Sequence, residues 1–131
     1  VVCISTYQNT TRTKAGGNSI HFIHGRVIGH TYEYINVRAP ELRYIIATGI
    51  DVANDEPNIS PGASGSPVVD YRGNACAVIT SLQRGQDAIF RITLRLLGNV
   101  NPDTVKTLAY AAPLHQPSIR NHLQTLGIQY R

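Results

Sequence analysis

Ser60-Pro61-Gly62-Ala63-Ser64-Gly65-Ser66-Pro67-Val68-Val69-Asp70 is the stretch around which this 131-residue chain is organised. Two glycines bracket a serine, a proline follows three residues later, and an aliphatic pair then opens a strand. Gly62 and Gly65 can take backbone conformations that a Cβ forbids. The amides of Gly62 and Ser64, with Ala63 between them, can therefore turn toward one point. Such an arrangement builds an oxyanion hole beside a nucleophile, although the same composition also makes an ordinary turn between strands. Immediately downstream, 67–70 and 75–81 read as the two strands of a hairpin across Tyr71-Arg72-Gly73-Asn74.

Upstream, the chain reads as strands separated by polar turns. Residues 1–8 are β-branched and apolar, and 9–18 form a polar loop. Residues 19–30 are a second extended run in which Gly25 and Gly29 predict a bend or bulge. A return strand is expected over 32–37, a turn at Arg38-Ala39-Pro40-Glu41, a further strand over 43–50, and then a polar loop over 51–59 that delivers the serine. Downstream, 88–96 alternates with a period of two: Phe90, Ile92, Leu94 and Leu96 fall on one side, Arg91, Thr93 and Arg95 on the other. This predicts a half-buried strand. A turn follows at 98–103 and a last strand over 107–112. In the tail the period changes. Pro117 suits a first helical position, Ile119, Leu123 and Leu126 recur at i, i+4 and i+7, and Gly127 can close the helix. The fold class predicted is all-β: a six-stranded antiparallel barrel over about 1–112, sealed by a terminal helix over about 116–126.

Hydrophobic content of 42% with 15% charged residues indicates one globular domain. No apolar run approaches the ~18 residues of a membrane span. The formal charge of +4 rests mostly on ten scattered arginines with no aromatic-interleaved basic block, so neither a nucleic acid nor a membrane is expected as partner. Cys3 and Cys76 are too few for a disulfide framework and read as buried free thiols. His21 and His24 point to opposite faces of one strand, and His30, His115 and His122 are scattered, so no metal site and no cofactor is expected. Asn9-Thr10-Thr11 and Asn58-Ile59-Ser60 are glycosylation sequons, which leaves the compartment open. The first residue is Val, so further residues are expected upstream of it in a parent protein.

The serine loop and its hairpin, from Ile59 through Ile79, resemble the nucleophile loop of trypsin-like serine proteases, nearest in pattern to the HtrA-like and the viral or fungal branches. Tyr110-Ala111-Ala112-Pro113-Leu114 resembles the segment that closes the second barrel in HtrA-like proteases, and the helix ending at Gly127 resembles their terminal helix. The resemblance covers nearly the whole chain as the second, Greek-key barrel of a chymotrypsin-like double barrel. It implies a serine endopeptidase working by acyl transfer. Ser64 is the implied nucleophile, and Gly62 and Ala63 form the oxyanion loop with the Ser64 amide.

The family takes its catalytic His and Asp from the first barrel, which this chain does not contain. The resemblance thus implies a partner segment carrying both residues, in the same precursor or separated by cleavage, and a peptide or protein substrate. Self-cleavage in an exposed linker would account for Val1. Walls of the substrate pocket are implied at Asn58, Ile59 and Ser60 on one side and at Ile79, Thr80 and Ser81 on the other. These six residues could equally be barrel core. They include no carboxylate for Lys or Arg and no His, so a small or aliphatic side chain is the expected preference. Two other readings remain open: a protease-derived barrel that only binds peptide or serves structure, and an unrelated capsid-like β-domain, which leaves the serine loop unexplained.

Overall fold

In the computed structural model, which describes residues 2–9, 18–36, 39–49, 59, 62–84, 88–97 and 105–127, six antiparallel strands close into a barrel. They are β1 (Val2–Asn9), β2 (Asn18–Asn36), β3 (Ala39–Thr48), β4 (Pro67–Asp70), β5 (Ala75–Arg84) and β6 (Thr107–Pro113). Around the ring the order is β1-β2-β3-β6-β5-β4, with β4 returning to β1. Placing β6 beside β3 while β4, β5 and β6 stay neighbours in sequence is the Greek-key step. Among the described residues two helices accompany the barrel: α1 (Ala88–Leu97) between β5 and β6, and α2 (Pro117–Thr125) after β6.

Alternation along each strand decides what the barrel encloses. Ile4, Ile23, Ile46, Val68, Ala77, Ile79, Ala109 and Ala111 point inward, the alanines of β5 and β6 making room for the isoleucines of β1 to β3. Ile59 and Ala63 join this inner core from the segment before β4, so the serine loop is anchored in it from below. The β4–β5 hairpin turns where expected. Asp70 Oδ1 accepts from the amides of Arg72 and Asn74, both at 2.9 Å, and Gly73 takes φ +87°.

Three expectations need correction. Residues 88–96 are helical, not extended: Phe90 and Leu94 are fully buried while Ile92 is 55% and Leu96 82% exposed. Phe90 and Leu94 are spaced i, i+4, which satisfies a helix as well as an alternating strand. The ring is already closed without this segment, so no strand edge is free to receive it. α1 instead lies on the outer surface with Ile45, Ala47, Val105 and Leu108, forming a second core outside the barrel. The two strands expected over 19–30 and from 32 onward are one continuous β2 (Asn18–Asn36), with a register shift between Val27 and Gly29 in place of a turn, and β3 begins already at Ala39. Lastly, α2 starts at Pro117 and is closed near Gly127 (φ +76°) as expected, yet it buries no residue and does not seal the barrel. It is moored through Gln116, whose Oε1 accepts from the Leu42 amide at 2.8 Å. Among the described residues no helix is long and apolar enough to cross a membrane.

Candidate active site

Ser64 sits on a loop whose shape is set by two left-handed glycines, Gly62 at φ +95° and Gly65 at φ +90°. The loop is tied down on both sides of the serine. Ser66 N donates to Ala63 O at 3.0 Å, Gly65 N to Ile79 O at 2.8 Å, and Ile79 N to Ser66 O at 2.9 Å. With Ala63 buried beneath it, Ser64 is held at the surface while the backbone of the next two residues is fixed to β5. The amides of Gly62 and Ser64 donate to none of the described residues. A loop built this way can offer two N–H groups to an incoming oxyanion without first breaking a bond to any described residue.

The hydroxyl of Ser64 donates to the carbonyl of Thr80 at 3.1 Å. That carbonyl is available because the register of β5 against β6 shifts between Ile79 and Ser81, leaving Thr80 as the extra residue of a bulge. Thr80 Oγ1 turns to Tyr110 O at 3.0 Å and so fixes the bulge against β6. All five histidines lie among the described residues and none hydrogen-bonds Ser64. His24 stands opposite Cys3 on β1, His30 meets the ring of Tyr32 edge-on, and His115 lies against Tyr44. A base for Ser64 is therefore not supplied by these side chains as arranged. No group of three or more His, Cys, Asp or Glu among the described residues could hold a metal ion.

Of the residues expected to wall the pocket, Asn58 and Ser60 lie outside the described residues. Ile59 and Ile79 are fully buried members of the barrel core, so their side chains are packing, and of the two the backbone of Ile79 bonds the loop. Thr80 contributes the carbonyl that holds Ser64. Ser81 opens outward into a groove of about 230 Å³, lined among the described residues by Thr31, Tyr32, Glu33, Arg43, Ser81 and Tyr110. Apart from Ser81, sequence reading missed this groove: Thr31, Tyr32, Glu33, Arg43 and Tyr110 come from β2, β3 and β6 and meet Ser81 only through the registers of β2 with β3, β3 with β6 and β6 with β5.

Arg43 forms the floor of the groove. Its side chain is only 6% exposed, and it donates from Nε to Glu33 Oε2 at 3.0 Å, from Nη2 to Glu41 Oε2 at 3.2 Å and from Nη1 to Leu42 O at 3.0 Å. A buried guanidinium needs such partners to offset its desolvation. Tyr110 donates its hydroxyl to Gln83 Oε1 at 2.7 Å, and burial holds its phenol above the ordinary value. Both cysteines are free and half-buried. Burial raises the thiol of Cys3, and burial followed by the nearby Asp70 carboxylate raises that of Cys76, against the opposing effect of its own backbone hydrogen bond. Cys76 donates to Val68 O at 3.4 Å. Neither thiol has the lowered pKa of a nucleophilic cysteine.

Comparison of the chain with models of protein families, with curated proteins and with solved structures returned no match.

Proposed function

We propose that this barrel is the nucleophile-bearing half of a serine endopeptidase, with Ser64 as the attacking residue. The observation that carries the reading is an exposed serine held between two left-handed glycines, with two amides beside it that donate to no described residue and with the following Gly65 and Ser66 bonded to β5. In the reaction, Ser64 Oγ attacks a peptide carbonyl and the amides of Gly62 and Ser64 take the developing oxyanion. An imidazole supplied by another segment accepts the hydroxyl proton and returns it to the leaving amine, and an Asp of that segment orients the imidazole. Until such a base arrives, the Ser64 hydroxyl rests on the Thr80 carbonyl. The isolated barrel has the hole and the nucleophile and should be nearly inactive.

The test is labelling by a fluorophosphonate probe, on the chain and on Ser64→Ala, with a segment bearing the His and Asp present and then removed. Stoichiometric labelling that requires both Ser64 and that segment is the expected result. Absence of labelling in both conditions refutes the enzymatic reading and leaves a barrel that binds peptide without cleaving it.

A further inference from the structure

We propose that the groove beside Ser81 is the subsite for a basic side chain of the substrate, Lys or Arg, selected by the carboxylate of Glu33; the inference rests on the reading of Ser64 as the reacting residue. The groove arises from a difference in strand length. β2 pairs with β1 only as far as Gly25, and β3 pairs with β6 only from Tyr44 onward. Beyond those points residues 31–36 and 39–43 pair, among the described residues, with each other alone. They stand off the barrel as a two-stranded ribbon, and the cleft of about 230 Å³ lies between this ribbon and the outward residues of β5 and β6.

Its position follows from β5. Ser81 lines the groove, and the preceding residue, Thr80, accepts the hydrogen bond of Ser64. A peptide whose carbonyl lies at Ser64 therefore has a side chain within reach of the groove. The lining then decides which one. Tyr32, Tyr110 and the methyl of Thr31 give walls suited to an aliphatic stem, and tyrosine faces also attract a cation. Arg43, at the floor, already donates to Glu33, Glu41 and Leu42, so it is a poor anchor for an acidic residue. Glu33 is 54% exposed and uses only Oε2 on Arg43; its Oε1 accepts from no described residue. The lining therefore offers an open carboxylate oxygen at its mouth, beside a guanidinium whose Nε, Nη1 and Nη2 each already donate. A long apolar stem ending in a cation satisfies both features. The inference departs from the sequence-level expectation of a small or aliphatic side chain, which rested on the lack of a carboxylate among Asn58, Ile59, Ser60, Ile79, Thr80 and Ser81.

The experiment separates recognition from chemistry by using the full chain carrying Ser64→Ala. Fluorescein-labelled hexapeptides of Gly, Ala and Ser, with one central Lys, Arg, Leu, Phe or Glu, are titrated by fluorescence anisotropy. The Lys and Arg peptides should bind at least about tenfold tighter than the other three, ~1.4 kcal/mol. Glu33→Gln should remove most of that preference. Glu41→Gln, which takes a charge from Arg43 without lining the groove, should retain it, and melting curves confirm that both variants are folded. Equal or tighter binding of Leu, Phe or Glu peptides, no binding of any peptide, or equal effects of the two Gln variants each overturn the inference. Fluorophosphonate labelling of the unsubstituted chain, with the His- and Asp-bearing segment supplied, decides the endopeptidase reading separately.

Discussion

Replacing Gly62 with alanine tests whether the loop's backbone geometry, and not merely the presence of Ser64, prepares the site. Gly62 has φ +95°, and a Cβ placed there meets none of the described residues within 4 Å, so their packing is undisturbed. The cost is the left-handed backbone, about 1–2 kcal/mol for a residue with a Cβ. A stiffer unfolded chain offsets part of this, about 0.4–1 kcal/mol. The net loss is about 1 kcal/mol, a fall in Tm of roughly 3–5 °C for a domain of this size. Gly73→Ala is a matched control: φ is +87°, a Cβ is again unopposed, and the residue sits in the β4–β5 turn. Both variants should therefore lose the same stability. If the Gly62 amide serves as an oxyanion donor with that of Ser64, as proposed, they should differ in reactivity, because alanine relieves its strain at position 62 by rotating that amide. Loss of one such donor slows acyl transfer by about 10²–10³. Thermal unfolding and the second-order rate of fluorophosphonate labelling, with the His- and Asp-bearing segment supplied, give the two readouts. Equal labelling rates for the two variants would refute the assignment of an oxyanion role to the Gly62 amide.

Three further outcomes are expected. Phe90→Ala should cost about 3–5 kcal/mol, as large aromatic truncations in a core do, whereas Ile92→Ala should change urea unfolding by less than ~0.5 kcal/mol; comparable losses would contradict the helical spacing that buries Phe90 and exposes Ile92. Gly25→Ala places a Cβ 2.6 Å from Ile46 Cγ2 and 3.2 Å from Ala47 O, and should destabilise by about 1–3 kcal/mol through overpacking; wild-type stability in urea would show that β2 and β3 do not approach there. Alkaline stability follows from Cys3, Cys76 and Tyr110, whose pKa values are all raised in the fold. Each binds its proton more tightly folded than unfolded, so its contribution is complete below the ordinary values of 9.0 for the thiols and 10.0 for the phenol and is lost as pH climbs through the folded values. Urea midpoints measured between pH 8 and 11 should fall, and Cys76→Ser should flatten the first part of that fall.

The barrel was legible because most of its strands carry their own local signal. Turn residues at Tyr71-Arg72-Gly73-Asn74 and alternation through Val68, Ala77 and Ile79 specify a hairpin without reference to the rest of the chain. Where a signal was ambiguous, tertiary context decided. Phe90 and Leu94 fit either period, and only the closed ring, with β6 already paired to β3 and β5, leaves the segment nowhere to go but onto the outer face of Ile45 and Leu108. The same applies to β2. Gly29 marks a local irregularity in either reading, but whether the chain turns or bulges there depends on β3 running alongside for ten residues.

The candidate site divides along the same line. Ser64 and its glycines are contiguous, so the sequence could mark the loop and the structure adds only where its hydroxyl rests. The groove is assembled from residues up to 79 positions apart, Thr31 to Tyr110, and no spacing in the chain announces it. Its key charge illustrates why. Glu33 reads in sequence as an exposed residue in a tyrosine-rich strand. It faces Arg43 because Thr31 pairs with Arg43 and Glu33 with Glu41, a register set by the extra residue between Val27 and Gly29. Shifting that register by one residue would move Glu33 to the opposite face and leave Arg43 buried with one carboxylate fewer. Selectivity at this barrel, if Glu33 confers it, thus depends on a bulge well removed from the reacting serine, which links the folding of the ribbon to the choice of substrate.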